Sequence, residues 1–185
     1  MSPWQLRYAK SVLKQGGIIA YPTEAVYGLG CDPNNHQAVL RLLALKQRRW
    51  QKGLILIASD YSQLTHWVQP LPATLQQTVC AHWPGAVTWL LPAQPQVSQW
   101  LRGQSALLAV RVTAHPQAAA LCRAWGGALV STSANLSGRP MAKTALQVRR
   151  LSLTAPLNYI VPGRVGQHPR PTEIRHGLTL AVVRA

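Results

Sequence analysis

Acidic side chains are almost missing from this 185-residue chain: four Asp and Glu stand against 19 Lys and Arg, a formal net charge of +15. Glu24, Asp32, Asp60 and Glu173 are the whole supply. A hydrolase built on paired carboxylates, or a metal cage made only of protein oxygens, would use up most of them, so neither is attractive. Cys31, Cys80 and Cys122 are odd in number and form no C-x-x-C pair, which argues against a disulfide framework and a zinc knuckle. A reducing compartment is the simplest setting, and Cys31 reads as a small buried hydrophobe rather than a nucleophile. No G-x-S-x-G elbow or G-x-x-x-x-G-K-[ST] loop occurs, and the six His are scattered without metal-ligand spacing, so Ser-His-Asp chemistry and a Walker-type phosphate site lack support. No apolar run approaches the roughly 20 residues that span a bilayer, and the N-terminus shows no signal pattern. The expectation is a soluble, cytoplasmic protein without membrane association. Phe is absent, and the seven Trp are dispersed along the chain, which points to packing rather than base stacking.

What is present suggests one α/β domain over residues 1–185, with no composition shift to mark a second. Leu6, Ala9, Val12 and Leu13 are spaced for a first helix, and Gly17 to Ala20 reads as a short buried strand. A second helix starts after Asn34 or Asn35, either of which can cap free N–H groups, and delivers Lys46 near its C-terminal end. Gly53 to Ala58 reads as a strand covered on both faces. Helices are expected at 61–68, 73–83, 116–125 and 144–151, and further strands at 86–91, 105–112, 128–131, 158–161 and 178–183. The stretch 162–171, carrying Arg164, His168 and Arg170, reads as a loop able to close over a ligand.

Three elements point to chemistry. Tyr21 to Gly30 is a hydroxyl- and glycine-rich turn of the kind that brings backbone close to a ligand, and its Glu24 and Tyr27 could orient a substrate. Lys46, Arg48, Arg49 and Lys52 form a basic cluster; alone, it reads as ordinary pairing with a helix C-terminal dipole, roughly 0.3–1 kcal/mol each. Ser131 to Gly138 follows an apolar strand, where open α/β sheets place ligands, although on its own it reads as a simple Ser/Asn turn. Arg111 sits within a strand and needs an anionic partner. The shortage of acids tilts it toward a ligand carboxylate or phosphate. Together these elements suggest a site for phosphates, and the charge favours anionic partners in general.

Several ordered stretches resemble the YrdC-like threonylcarbamoyl-AMP synthase family, in its short single-domain form. They are Pro22 to Asp32 (PTEAVYGLGCD), Leu45-Lys46-Gln47-Arg48, Lys52 to Ile57, Trp83-Pro84-Gly85, Ala109 to Val112 and Ser131 to Gly138 (STSANLSG). The match spans nearly the whole chain, with departures at Arg49, Ala86 and Pro171-Thr172-Glu173-Ile174. Thr172 keeps a hydroxyl, while Glu173 would repel a triphosphate unless Arg175, Arg170 or a metal intervenes.

The resemblance implies a twisted open mixed α/β sheet flanked by helices, with a basic concave surface. It implies a nucleotidyltransferase that makes threonylcarbamoyl-adenylate and pyrophosphate from L-threonine, bicarbonate or CO2, and ATP, for threonylcarbamoyladenosine modification of tRNA. Carried over by motif, Lys46 and Arg48 would contact ATP phosphates, and Ser131, Ser133 and Asn135 would line the nucleotide region. Thr23, Tyr27, Arg111 and Thr172 would form the threonine pocket, Arg111 holding the carboxylate. Mg2+ would arrive with ATP, with no metal ligated by the protein alone. The expected partners are tRNA and the proteins that transfer the threonylcarbamoyl group. A non-catalytic RNA-binding or ribosomal RNA maturation factor is the alternative, and it uses the same charge.

Overall fold

A computed structural model describes residues 1–151, 157–168 and 172–184. The first helix, α1 (Pro3–Lys14), starts where Ser2 and Gln5 form a reciprocal capping box ahead of Pro3, satisfying N–H groups that the helix itself cannot. Two strands follow, β1 (Ile19–Pro22) and β2 (Tyr27–Gly30), paired antiparallel as a hairpin. Tyr27 to Gly30 is therefore strand and not turn. The glycines allow it: a Cβ on Gly30 would lie 2.3 Å from the Val130 carbonyl oxygen and 2.9 Å from the Tyr21 ring, so only a bare backbone fits between the neighbouring strands.

Asn35 caps α2 (His36–Leu45) by accepting from the Ala38 N–H, and Lys46 is the C-cap. The strand β3 (Ile55–Ala58) leads to a single 3-10 turn at Tyr61–Leu64, shorter than the helix expected there. Next come α3 (Ala73–Cys80), β4 (Val87–Pro92), α4 (Gln99–Arg102) and β5 (Leu107–Val112). The helix α5 (Pro116–Trp125) is bounded by a His115 cap and by Gly126 in the left-handed conformation. The strand β6 (Leu129–Ser133) takes in Ser131 to Ser133, so the expected turn begins only at Ala134. The chain then forms α6 (Ala145–Leu151), β7 (Tyr159–Ile160), β8 (Glu173–His176) and β9 (Val182–Arg184), the last two as a hairpin around 177–181 where a single strand was expected.

Among the described residues the sheet has nine strands in the order β7-β1-β2-β6-β3-β5-β4-β8-β9. It is mixed: β1/β7, β3/β5 and β4/β8 are parallel and the other neighbours antiparallel. Its two faces read alternately off each strand. Ala20, Leu56, Ala58 and Val130 join the larger core with α2, Trp89 and Leu101, while Ile19, Tyr21, Ile57 and Leu129 join a smaller core with Ala9, Leu13, Leu121 and Cys122 of α1 and α5. The alternation along β6 fixes the site: Leu129 lies under the α1/α5 layer, and Ser131 and Ser133 continue the same face to where the sheet borders a cavity.

Candidate active site

That cavity holds about 260 Å³ and is lined by Thr23, Ala25, Val26, Tyr27 and Gly28 from the hairpin, Ser131 to Ser133 from β6, and Ile55 from β3. Arg48, Arg111, Met141, Thr172 and Arg184 complete its charged and distal walls with Leu54. Strand register brings these distant segments together, since Gly28 pairs with Ser133, Ile55 with Ser131, and Ile57 with Arg111. Gly28 serves the cavity by its size: a Cβ there would come within 3.2 Å of both Ser131 Oγ and Thr23 Cγ2.

Arg111 corrects the expectation that it lacks a protein carboxylate. It is 4% exposed; its Nη2 lies 3.2 Å from Glu24 Oε2, and its Nη1 donates to Thr172 Oγ1 at 2.7 Å. Sequence distance hid the pair, because Glu24 reaches it across the hairpin. Thr113 Oγ1 and the Ala114 N–H both donate to Glu24 Oε1, at 2.5 and 3.2 Å. Burial alone would raise the Glu24 carboxyl, but Arg111 and the Thr113 hydroxyl outweigh it and hold the group below the usual carboxylate value. Arg111 Nε and Glu24 Oε2 are buried without a hydrogen-bond partner, so the pair retains unused polar capacity at the cavity wall.

Of the nine residues singled out, Thr23, Tyr27, Arg48, Arg111, Ser131, Ser133 and Thr172 line the one cavity. Lys46 and Asn135 sit outside its lining and attach to it through Ser133. The Lys46 ammonium, 2% exposed, donates to Ser133 O at 2.5 Å, Asn135 O at 2.8 Å and Asn135 Oδ1 at 2.9 Å, and Ser133 Oγ donates to Asn135 Oδ1 at 2.7 Å. The basic cluster thus divides: Lys46 bonds the end of β6 and Asn135 beyond it rather than its own helix end, and Arg48 faces the cavity with Nε and Nη2 on Gly53 O. Arg49 and Lys52 are exposed. Burial, then the neighbouring Arg48 charge, push the Lys46 ammonium down to about 8.

Tyr27 closes the far side, its hydroxyl donating to Gly163 O at 2.8 Å. The segment 161–168 crosses beside the hairpin, with the Gly166 N–H donating to Thr23 O and the His168 N–H to Glu24 O. His115 Nε2 lies 3.1 Å from Arg164 O. Arg170 and Pro171 lie outside the described residues. Glu173 is ion-paired with Arg175, which answers the concern about its charge. Arg184 is the site residue the sequence reading did not single out: it enters the cavity from the edge strand and donates to Thr172 O at 2.9 Å. Only the β8/β9 hairpin, itself unread, could have revealed it. Among the described residues no group of three or more His, Cys, Asp or Glu could hold a metal ion, and no helix is long and apolar enough to cross a membrane.

Known proteins share this chain's sequence pattern and fold. The Sua5/YciO/YrdC family profile, described as "Telomere recombination", matches residues 11–185. A threonylcarbamoyl-AMP synthase of Halorhodospira halophila is 54% identical over 182 residues, covering 98% of this chain and 95% of that one. Its counterpart in Nitrosococcus oceani is 55% identical over 176 residues, with 95% of each covered. Among solved structures, P. abyssi Sua5 complexed with L-threonine superposes with a TM-score of 0.88 at 27% identity over 95% of this chain; the chain spans 52% of that protein's length. E. coli YciO gives 0.84 at 26% identity, covering 99% of this chain and 90% of its own. The profile match over most of the chain, together with relatives at this identity, establishes that the chain belongs to the Sua5/YciO/YrdC family.

Proposed function

We propose that this chain, as one domain over residues 1–185, is a threonylcarbamoyl-AMP synthase: a nucleotidyltransferase that converts L-threonine, bicarbonate or CO2, and ATP into threonylcarbamoyl-adenylate and pyrophosphate. The observation that carries the reading is the pairing of three guanidiniums, Arg48, Arg111 and Arg184, with hydroxyls of Thr23, Ser131, Ser133 and Thr172 in one cavity whose adjoining carboxylate, Glu24, is already engaged. The threonine amine and CO2 form a carbamate; its oxygen attacks the α-phosphorus and pyrophosphate leaves. Negative charge accumulates throughout, so fixed cations and N–H or O–H donors supply the catalysis by positioning and electrostatic stabilisation, without a strong protein base.

In this reading Arg48 and Arg184 face the phosphates, and Ser131 and Ser133 donate to phosphate or carbamate oxygens. Arg111 and Thr172 bind the amino-acid carboxylate, while Thr23 and Tyr27 shape the space around its side chain. Lys46 and Asn135 hold Ser133 in place. Mg2+ enters as part of the ATP complex, carried by phosphates and water, since Glu24, the carboxylate adjoining the cavity, is ion-paired with Arg111. The product serves tRNA modification through separate transfer proteins in the cytoplasm. The non-catalytic RNA-binding alternative accounts for the charge but leaves the cavity without a purpose.

The test is pyrophosphate release by the purified protein with ATP, Mg2+, L-threonine and bicarbonate. Release depends on both threonine and bicarbonate, and Arg48→Ala lowers it roughly 100-fold or more while the far-ultraviolet spectrum is unchanged. Release from ATP alone, indifferent to threonine, would show a generic nucleotidase instead.

A further inference from the structure

His115 caps α5, a place where Asn, Asp, Ser or Thr is the ordinary choice. Its two ring nitrogens bond in different directions. Nδ1 accepts from the Ala118 N–H at 3.5 Å, while Nε2 lies 3.1 Å from Arg164 O. A carbonyl oxygen only accepts, so the proton sits on Nε2 and leaves Nδ1 free to cap. Burial keeps the ring in this neutral form, lowering its pKa below the ordinary histidine value against the opposing pull of the Arg164 carbonyl and the Glu24 charge. An asparagine here would cap the helix but end short of Arg164. The second bond is what histidine adds.

That bond ends on a segment with further ties to the site. Over 161–168 the Gly166 N–H donates to Thr23 O at 2.9 Å, the His168 N–H donates to Glu24 O at 3.1 Å, and Gly163 O accepts from the Tyr27 hydroxyl. A Cβ on Gly166 would lie 2.6 Å from Glu24 O, so this strap rests directly on the backbone between β1 and β2. His115 also reaches the site by a second route. Its backbone N–H donates to Thr113 Oγ1 at 3.2 Å, and that hydroxyl donates to Glu24, the ion-pair partner of Arg111. Thr23, Tyr27 and Arg111, the residues joined in this way, are those assigned above to the amino acid. Arg48 and Ser133, assigned to the phosphates, are held instead by Gly53 and Lys46.

We propose that His115 is a positioning residue for the amino-acid half of the site, pinning the 161–168 strap against the hairpin through Nε2. The proposal takes its ligand, L-threonine, from the synthase reading, whereas the pinning of the strap does not depend on that reading.

Substitution can separate the ring nitrogens. His115→Asn keeps an acceptor where Nδ1 stood and removes the bond to Arg164, while His115→Gln keeps an N–H donor where Nε2 stood and removes the cap. Pyrophosphate release gives the KM for threonine and for ATP. Hydrogen exchange read by mass spectrometry gives the protection of the 161–168 amides with no substrate present. In His115→Asn the KM for threonine rises roughly fivefold, the KM for ATP changes less than about twofold, and the strap amides exchange roughly fivefold faster, with the thermal midpoint near wild type. In His115→Gln the threonine KM and the strap protection stay within about twofold of wild type while the midpoint falls. A His115→Asn protein with wild-type threonine KM and protection, or with equal rises in both KM values, overturns the proposal. Loss of protection as large in His115→Gln as in His115→Asn overturns it too. Wild-type protein without threonine-dependent release overturns the synthase reading instead, and exchange alone then decides whether His115 pins the strap.

Discussion

Lys46 has three N–H bonds, and the acceptors are the Ser133 carbonyl at the end of β6 and the carbonyl and side-chain oxygens of Asn135 beyond it. Its role is to fix Ser133 and Asn135, and its proton is easily lost: burial and Arg48 bring it to about 8 from the ordinary 10.5. Between those values the unfolded chain holds the extra proton, so this group's contribution to stability rises with pH while the tether loses its charge. Turnover is therefore expected to fall as pH rises through about 8 without a matching drop in the thermal midpoint. A rate that stays flat well above that pH would show that the charge on Lys46 is dispensable. Residue types at this scale were readable from the sequence; partners were not. Arg111 needed an anion, as its place in a strand implied, but nothing in the spacing tied residue 111 to residue 24. Lys46 was readable as a cation near the end of α2, whereas its capture by the Ser133 and Asn135 carbonyls depends on a segment 87 to 89 residues away.

Elements with strong local signals were legible in full. A cap at Asn34 or Asn35, which the structure assigns to Asn35, the helix over 116–125 and the apolar run into β3 each follow from side chains within a few residues. The failures share a cause. In β2 and the end of β6 the glycines and hydroxyls that read as turns are strand residues, chosen because tertiary neighbours need small or polar side chains there. The β8/β9 hairpin has weak local patterning and is held by β4 through a parallel ladder. Gly30→Ala tests the close approach in β2. The added methyl meets the Val130 carbonyl and the Tyr21 ring, and the expected cost is roughly 1–3 kcal/mol in a denaturant titration. An unchanged midpoint would mean that the strands separate freely.

Across the whole molecule, 19 basic residues share four acids, and the two ion pairs among the described residues use Arg111 and Arg175. Much of the remaining charge is available to attract anions, and that field is screened by salt. The KM for ATP is expected to rise several-fold between roughly 50 and 200 mM salt, with a smaller change in kcat, measured by pyrophosphate release. A KM indifferent to salt would confine the useful charge to the cavity itself. The order in which the walls of that cavity occur along the chain has a consequence for synthesis. A nascent polypeptide that has emerged only through β6 already owns Thr23, Arg48, Arg111 and Ser133, yet it lacks Thr172, Arg184 and the carbonyl of Gly163 that anchors Tyr27. A product truncated after β6 would thus carry the cavity with one wall missing, open where Thr172 and Arg184 otherwise stand.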